Sequence, residues 1–221
     1  MKKNQITPQY IAVTAMFAAL AFISVAVSEV IPKVQGFLSY EPKDAIIVIA
    51  GFLFGPLSGV IISLLVSFIE MITISSTGPI GFLMNVIASC SFVLPPAILY
   101  SKSRTKKSAV LGLVFGVICM TVSMLLWNYS ITPLYMGVER KVVAGMLLSV
   151  FLPFNLVKGG INACITLILY KPVVTVLRNA HLVKPSEENE GKPKYSAGFF
   201  AIAAAVLVTF VISYLALTGV I

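Results

Sequence analysis

The run VVAGMLLSVFLPFNLVKGGINACITLILY, residues 142–170, decides the class of this protein: it carries a single charge, Lys158, and a single proline, Pro153. A bilayer core about 30 Å thick needs about 20 predominantly apolar residues in a helix. The run is therefore too long for one straight span, and Pro153 marks its interruption. We read Val142–Leu152 as a short lid helix or kinked upper segment, with a span proper beginning near Pro153. Inside that span Asn155, Lys158 and Asn162 fall within roughly 80° of each other at helical spacing, so they share one narrow stripe. Two readings compete for Lys158. It lies about 8 Å along the helix from Pro153 and could snorkel to the headgroups, or it could face a wet interior, as intramembrane charges usually do. The two asparagines on the same stripe favour a binding role.

Outward from this run the same character persists. Of 221 residues 58% are hydrophobic and 11% charged, with a mean hydropathy of +1.00. A soluble domain carries roughly 25% charged residues, so lipid must be the solvent for much of the surface. Alternating ten-residue patterns are absent, which argues for helices over a barrel. Proline and glycine divide the chain into further apolar runs: Pro8–Ile31, a short Lys43–Phe54 ending at Gly55-Pro56, Leu57–Thr73, Pro79–Tyr100 with Pro95-Pro96 expected to kink or end it, and Ser108–Asn128. Two longer loops, Pro32–Pro42 and Tyr129–Lys141, hold Phe37, Leu38, Tyr40, Glu41, Tyr129, Tyr135 and Arg140. A hydrophilic segment, 184–195, precedes a last apolar run, Ala197–Leu217, long enough to be a seventh span. The fold class is thus an all-α integral membrane protein, a six-helix bundle in residues 1–178, a linker over 179–196 and an additional helix in 197–221.

Charge placement sets the orientation. With the N-terminus inside, eleven Lys and Arg fall on inner segments and four on outer loops, so the N-terminus is expected in the cytoplasm and both aromatic-rich loops outside. The net charge of +8 is then a topology signal, with no nucleic-acid partner implied. Cys90, Cys119 and Cys164 lie in apolar runs without CxxC spacing and read as buried packing residues. His181 is the only histidine and lies outside any span, so no metal site is expected. There is no phosphate-binding P-loop, no H-E-x-x-H and no G-x-S-x-G, and no enzyme activity is indicated.

Other candidates surround the Asn155 stripe. Trp127-Asn128-Tyr129 ends the fifth run; its aromatics suit an interfacial belt, while Asn128 lies at the outer level of Asn155 and could converge with it. An asparagine offers both an acceptor and a donor to an amide-like ligand edge, and Phe37, Tyr40, Tyr135 and Phe154 could supply flat walls. Glu41 and Asp44 are placed to cap the helix that Lys43 opens. Glu70 and Asn85 are weaker site candidates, and Glu29 reads as interfacial. Ala12, Ala15, Ala19 and Ala26 form a small-residue stripe suited either to an internal neighbour or to a partner subunit.

Taken in order, the alanine face, Pro42-Lys43-Asp44, Gly51-Phe52-Leu53-Phe54-Gly55-Pro56-Leu57-Ser58-Gly59, Asn128-Tyr129 with Thr132-Pro133-Leu134-Tyr135, and Pro153-Phe154-Asn155-x-x-Lys158 resemble the substrate-binding (S) components of energy-coupling-factor vitamin transporters, most closely the riboflavin-specific ones. The resemblance covers about residues 8 to 175. It implies a six-helix bundle in a bacterial plasma membrane with an outer vitamin site, riboflavin as bound substrate and no catalytic cofactor. Asn128, Asn155 and Lys158 would hydrogen-bond the flavin, the loop around Phe37 to Glu41 would act as a lid, and the Ala15/Ala19 face would meet a transmembrane coupling subunit joined to two cytosolic ATPases. The apolar run 197–217 departs from the pattern. FMN, pantothenate or folate could use similar donors, and a stand-alone secondary transporter is the alternative from another class.

Overall fold

The structure is a computed structural model describing residues 7–183 and 197–220. The linker expected over 184–195, Lys2 and Lys3 lie outside the described residues. The chain is helical: α1 (Pro8–Ser28), α2 (Lys43–Phe54), α3 (Pro56–Thr73), α4 (Gly78–Ser103), α5 (Lys106–Ser130), the short α6 (Thr132–Met136) and α7 (Arg140–Met146), α8 (Leu152–Asn179) and α9 (Ala197–Thr218). Six stretches among the described residues are long and apolar enough to cross a membrane: α1, α3, α4, α5, the α7–α8 run and α9.

Start and stop signals act locally as their chemistry dictates. The Thr7 hydroxyl accepts from the Tyr10 amide and Pro8 occupies the first turn of α1. Thr105 and Ser108 form a reciprocal capping box at the head of α5. Gly55, at φ 95°, turns the chain from α2 directly into α3, a conformation that strains any residue with a Cβ.

The shortest segment of the bundle is also its most enclosed. At about 1.5 Å per residue, α2 is too short to cross a bilayer alone, and its residues from Lys43 to Phe52 are buried with one exception, Ile46. A helix that is apolar all round belongs inside, and α2 lies against α1, α3, α4 and α8. The outward faces of the longer helices carry Leu57, Phe68, Leu83, Leu111, Phe115 and Leu126 exposed, as a lipid-facing surface requires. Cys119 also faces outward, contrary to the packing role expected for it, and Cys90 is half-buried; only Cys164 is buried.

Pro95-Pro96 does not end α4, which continues to Ser103. Pro96 cannot donate to the Phe92 carbonyl, and that carbonyl lies directly against Gly116 of α5. Gly112 accommodates the ring of Pro96 in the same way, a Cβ there falling 2.5 Å from Pro96 Cα. The two glycines bring α5 so close that α4 and α5 form the most extensive helix pair. The C-terminal α9 leans on α8 and is otherwise largely exposed along its length.

Gly116→Ala should lower the melting temperature of the detergent-solubilised protein, overpacking of this kind costing about 1–3 kcal/mol. Gly145→Ala, whose Cβ meets nothing, should not.

Candidate functional site

The cavity lies at the end of the bundle where α1, α3 and α5 finish and α4 and α8 begin. It has a volume of about 170 Å³, several times the roughly 30 Å³ that a liquid water occupies, which is space for a small molecule. The loop after α1 closes one side. Val34 and Leu38 exchange backbone hydrogen bonds of 3.0 Å across a tight turn, and Gly36 sits at φ 76° within it. This turn presents Phe37 and Leu38 to the cavity, and Phe37 also packs on Phe151 with ring centroids 6.2 Å apart.

On α8 the local structure follows from Pro153. Lacking an N–H for the Ser149 carbonyl, it breaks the regular ladder. The chain responds with a π-helical turn at Leu147–Phe151, in which the Leu152 amide reaches back to the Leu147 carbonyl. Of the two forms expected for Val142–Leu152, a short lid helix or a kinked upper segment, the structure shows the second, continuous with α8 through this wide turn. Just below it Phe154, Asn155 and Lys158 line the cavity. The Asn155 Nδ2 donates to the Phe151 carbonyl at 2.7 Å. At the end of α5, Asn128 Nδ2 donates to the Met124 carbonyl at 2.8 Å, and its Oδ1 accepts from the Thr132 hydroxyl at 2.8 Å. Each amide nitrogen has a second hydrogen, and both asparagines line the same cavity.

The floor is ionic. Lys158 Nζ donates to Glu41 Oε2 at 2.9 Å, and Lys43 Nζ lies 3.3 Å from the same oxygen. Lys43 also donates to both carboxylate oxygens of Glu70, at 2.8 and 2.6 Å, and Asn85 Nδ2 donates to Glu70 at 2.8 Å. Asp44 accepts from the Ser89 hydroxyl at 2.6 Å. Burial raises the Glu41 pKa, but the charges and hydrogen bonds of Lys158 and Lys43 outweigh it and bring the group down to about 2. Glu41 is therefore a carboxylate at neutral pH. The Tyr40 hydroxyl is pushed up, first by burial and then by Asp44 and Tyr214, and keeps its proton. No side chain caps α2, whose N-cap is Pro42, and both acids are held by partners across the bundle; of the expected placement only Asp44 in the first turn, where the helix dipole favours an acid, is found.

Of the candidates named from the sequence, Phe37, Leu38, Glu41, Glu70, Asn85, Asn128, Phe154, Asn155 and Lys158 line the cavity. Tyr40, Trp127, Tyr135 and Asn162 do not. Tyr40 is buried behind it and donates to Asn162 Oδ1 at 3.1 Å, while Asn162 Nδ2 donates to the Glu41 carbonyl at 3.0 Å. Trp127 packs on the main core, and Tyr135 is exposed on α6. Of the four aromatic walls expected, Phe37 and Phe154 stand, and Met84, Met120 and Met124 take the place of Tyr40 and Tyr135 as flexible and polarisable surfaces. Glu29 and Lys33 line the entrance and pair at 3.0 Å. Ala12, Ala15, Ala19 and Ala26 are exposed, so no helix of this chain covers the stripe among the described residues.

A model of the family described as "ECF transporter, substrate-specific component" matches residues 9–170. The chain belongs to this family. It is 28% identical to the riboflavin transporter FmnP of Bacillus subtilis over 77% of its own length and 96% of the relative's. It is 27% identical to the riboflavin transporter RibU of Staphylococcus aureus, over 74% of this chain and 89% of that one. A solved S component of a bacterial ECF transporter superposes with a TM-score of 0.65 at 27% identity, covering 77% of this chain and 98% of that structure. The all-α membrane bundle expected from the sequence is the S-component fold, and α9 lies beyond the matched family region.

Lys43 tests the ionic floor. Removing one partner of a buried ion pair costs about 3–5 kcal/mol, so Lys43→Met should sharply lower thermal stability. Adding Glu70→Gln should recover part of the loss, because one stranded carboxylate is then neutral. Equal melting temperatures for Lys43→Met and the parent would contradict the assignment.

Proposed function

We propose that this chain captures riboflavin at the outer face of a bacterial plasma membrane, N-terminus in the cytoplasm, and hands it inward as the substrate-specific component of an ECF-type transporter. The observation that carries the reading is the convergence of Asn128, Asn155 and Lys158 on one cavity walled by methionine, leucine and phenylalanine. An isoalloxazine ring is a large flat apolar body with a polar edge. Apolar walls suit its faces, the asparagine amides suit its alternating donors and acceptors, and the Lys158 ammonium can donate to a ring or ribityl oxygen. The riboflavin transporters among the relatives support this choice of ligand.

The path inward needs an engine, and this chain has no nucleotide-binding loop of the Walker type. The reading therefore includes a transmembrane coupling subunit and two cytosolic ATPases. The uncovered alanine stripe on α1, with Ala15 and Ala19 at its centre, is where we place the coupling subunit, since small residues let helices approach closely.

Purified protein should quench riboflavin fluorescence on titration. Asn155→Ala or Lys158→Ala should weaken binding about 10-fold or more, the scale of one hydrogen bond involving a charged or well-desolvated partner. Protein that leaves riboflavin fluorescence unchanged would remove this ligand. Ala15→Leu should abolish uptake by cells that supply the other subunits while leaving the binding titration intact; uptake at the parental rate would move the docking face elsewhere.

A further inference from the structure

The family match ends at residue 170, and about three quarters of this chain accounts for nearly all of the Bacillus subtilis relative and of the solved S component. The added helix α9 is seated against the binding region. Gly160 on α8 leaves a notch that the Phe210 ring of α9 fills; a Cβ on Gly160 would collide with that ring. One turn further along α9, the Tyr214 hydroxyl donates to the Pro32 carbonyl at 2.8 Å, at the start of the loop that closes the cavity. The Tyr214 ring also meets Tyr40 edge-on, with centroids 5.7 Å apart. These contacts belong to a second apolar cluster, separate from the main core, which joins Val34, Tyr40, Phe154, Val157 and Ile161 to Tyr214.

From Tyr40 the contacts run straight to the site. Tyr40 donates to Asn162, Asn162 donates to the Glu41 carbonyl, and the Glu41 carboxylate accepts from Lys158. Phe154 is shared by the cluster and the cavity wall. We infer that α9 is a strap on the binding site, and that Tyr214 is a positioning residue which pins the 31–42 loop in its closed form and slows ligand departure. The hydroxyl is the specific element: on a helix otherwise largely exposed along its length, its hydrogen bond to Pro32 is a polar tie to the loop. The inference takes its ligand from the riboflavin reading but its geometry from α9 alone.

Two measurements on the full-length chain decide it. In ligand-free protein, Tyr214→Phe should speed backbone hydrogen exchange in residues 31–42 while leaving α4 and α5 at parental rates. With riboflavin bound, the same variant should dissociate about fivefold faster, equivalent to about 1 kcal/mol, at an unchanged melting temperature. Phe210→Ala combined with Tyr214→Ala should do at least as much, and Ile202→Ala, on the outward face of α9, should do neither. Parental exchange and parental dissociation in both Tyr214 variants would overturn the strap. If the parent itself fails to quench riboflavin, the ligand assignment falls, and the exchange measurement still decides the strap.

Discussion

Two lysine ammonium groups withdrawn from water beneath the cavity govern what surrounds them. Lys43 is 1% exposed and opens α2, at the end of a helix where the backbone dipole disfavours a cation. Desolvation and dipole both work against it, so it is tenable only with anions in contact. Glu70 from α3 and Glu41 from the loop supply them, and Lys158 from α8 shares Glu41. One loop carboxylate is thereby held by two helices at once. This fixes how deep the loop sits, how α2 is rotated, and which stripe of α8 faces inward, because a wrong register in any of them would strand a charge in low dielectric.

The same network gives the cavity-facing donors partners within the protein. Lys158 rests on Glu41, and Asn128 and Asn155 rest on carbonyls one turn back along their own helices. Each of these donors is thus at least partly satisfied within the protein and retains a hydrogen for a ligand. A ligand offering acceptors to these groups exchanges partners instead of creating them, and only the difference contributes to affinity. The methionine walls add adaptable contact area with few directional demands. Tight capture and later release are compatible when the polar groups have two sets of partners of similar quality.

The sequence was most legible where length and period alone suffice. The long apolar runs read directly as helices, and the 3.6-residue period alone places Asn155 and Lys158 on one stripe. Asn128 was placed by level, at the outer end of its run. What escaped the reading depended on partners distant in sequence. Nothing near Lys43 announces Glu70, and acids beside a helix start read naturally as caps. Pro95-Pro96 reads as a kink or an end because nothing near it in sequence shows the Gly112 and Gly116 of another helix that pack against it. Asn162 shares the stripe of Lys158 but lies one turn deeper, where it meets Tyr40 and the Glu41 backbone in place of the cavity. Spacing gives a residue's angle around a helix; what fills the space opposite it is decided by tertiary packing.

The bundle is asymmetric in a way that bears on its working. Two of the three proposed ligand-binding side chains come from α8, and the loop that closes over them is tied to α8 through Glu41 and Asn162. That flank is the one α9 covers, with Phe210 in the Gly160 notch and Tyr214 on the loop. The α1 flank, with its alanine stripe, is uncovered. Yet α1 runs directly into the same loop: the Ser28 carbonyl accepts from the Ile31 amide, and Lys33 pairs with Glu29 at the cavity entrance. A displacement of α1 by anything docked on its open face would therefore pull on a loop whose other end is anchored to α8 and α9. The loop is held from the covered side by the Tyr214 contact, and under the docking proposed for the alanine stripe it would be drawn from the open side, so retention and release would act through different helices.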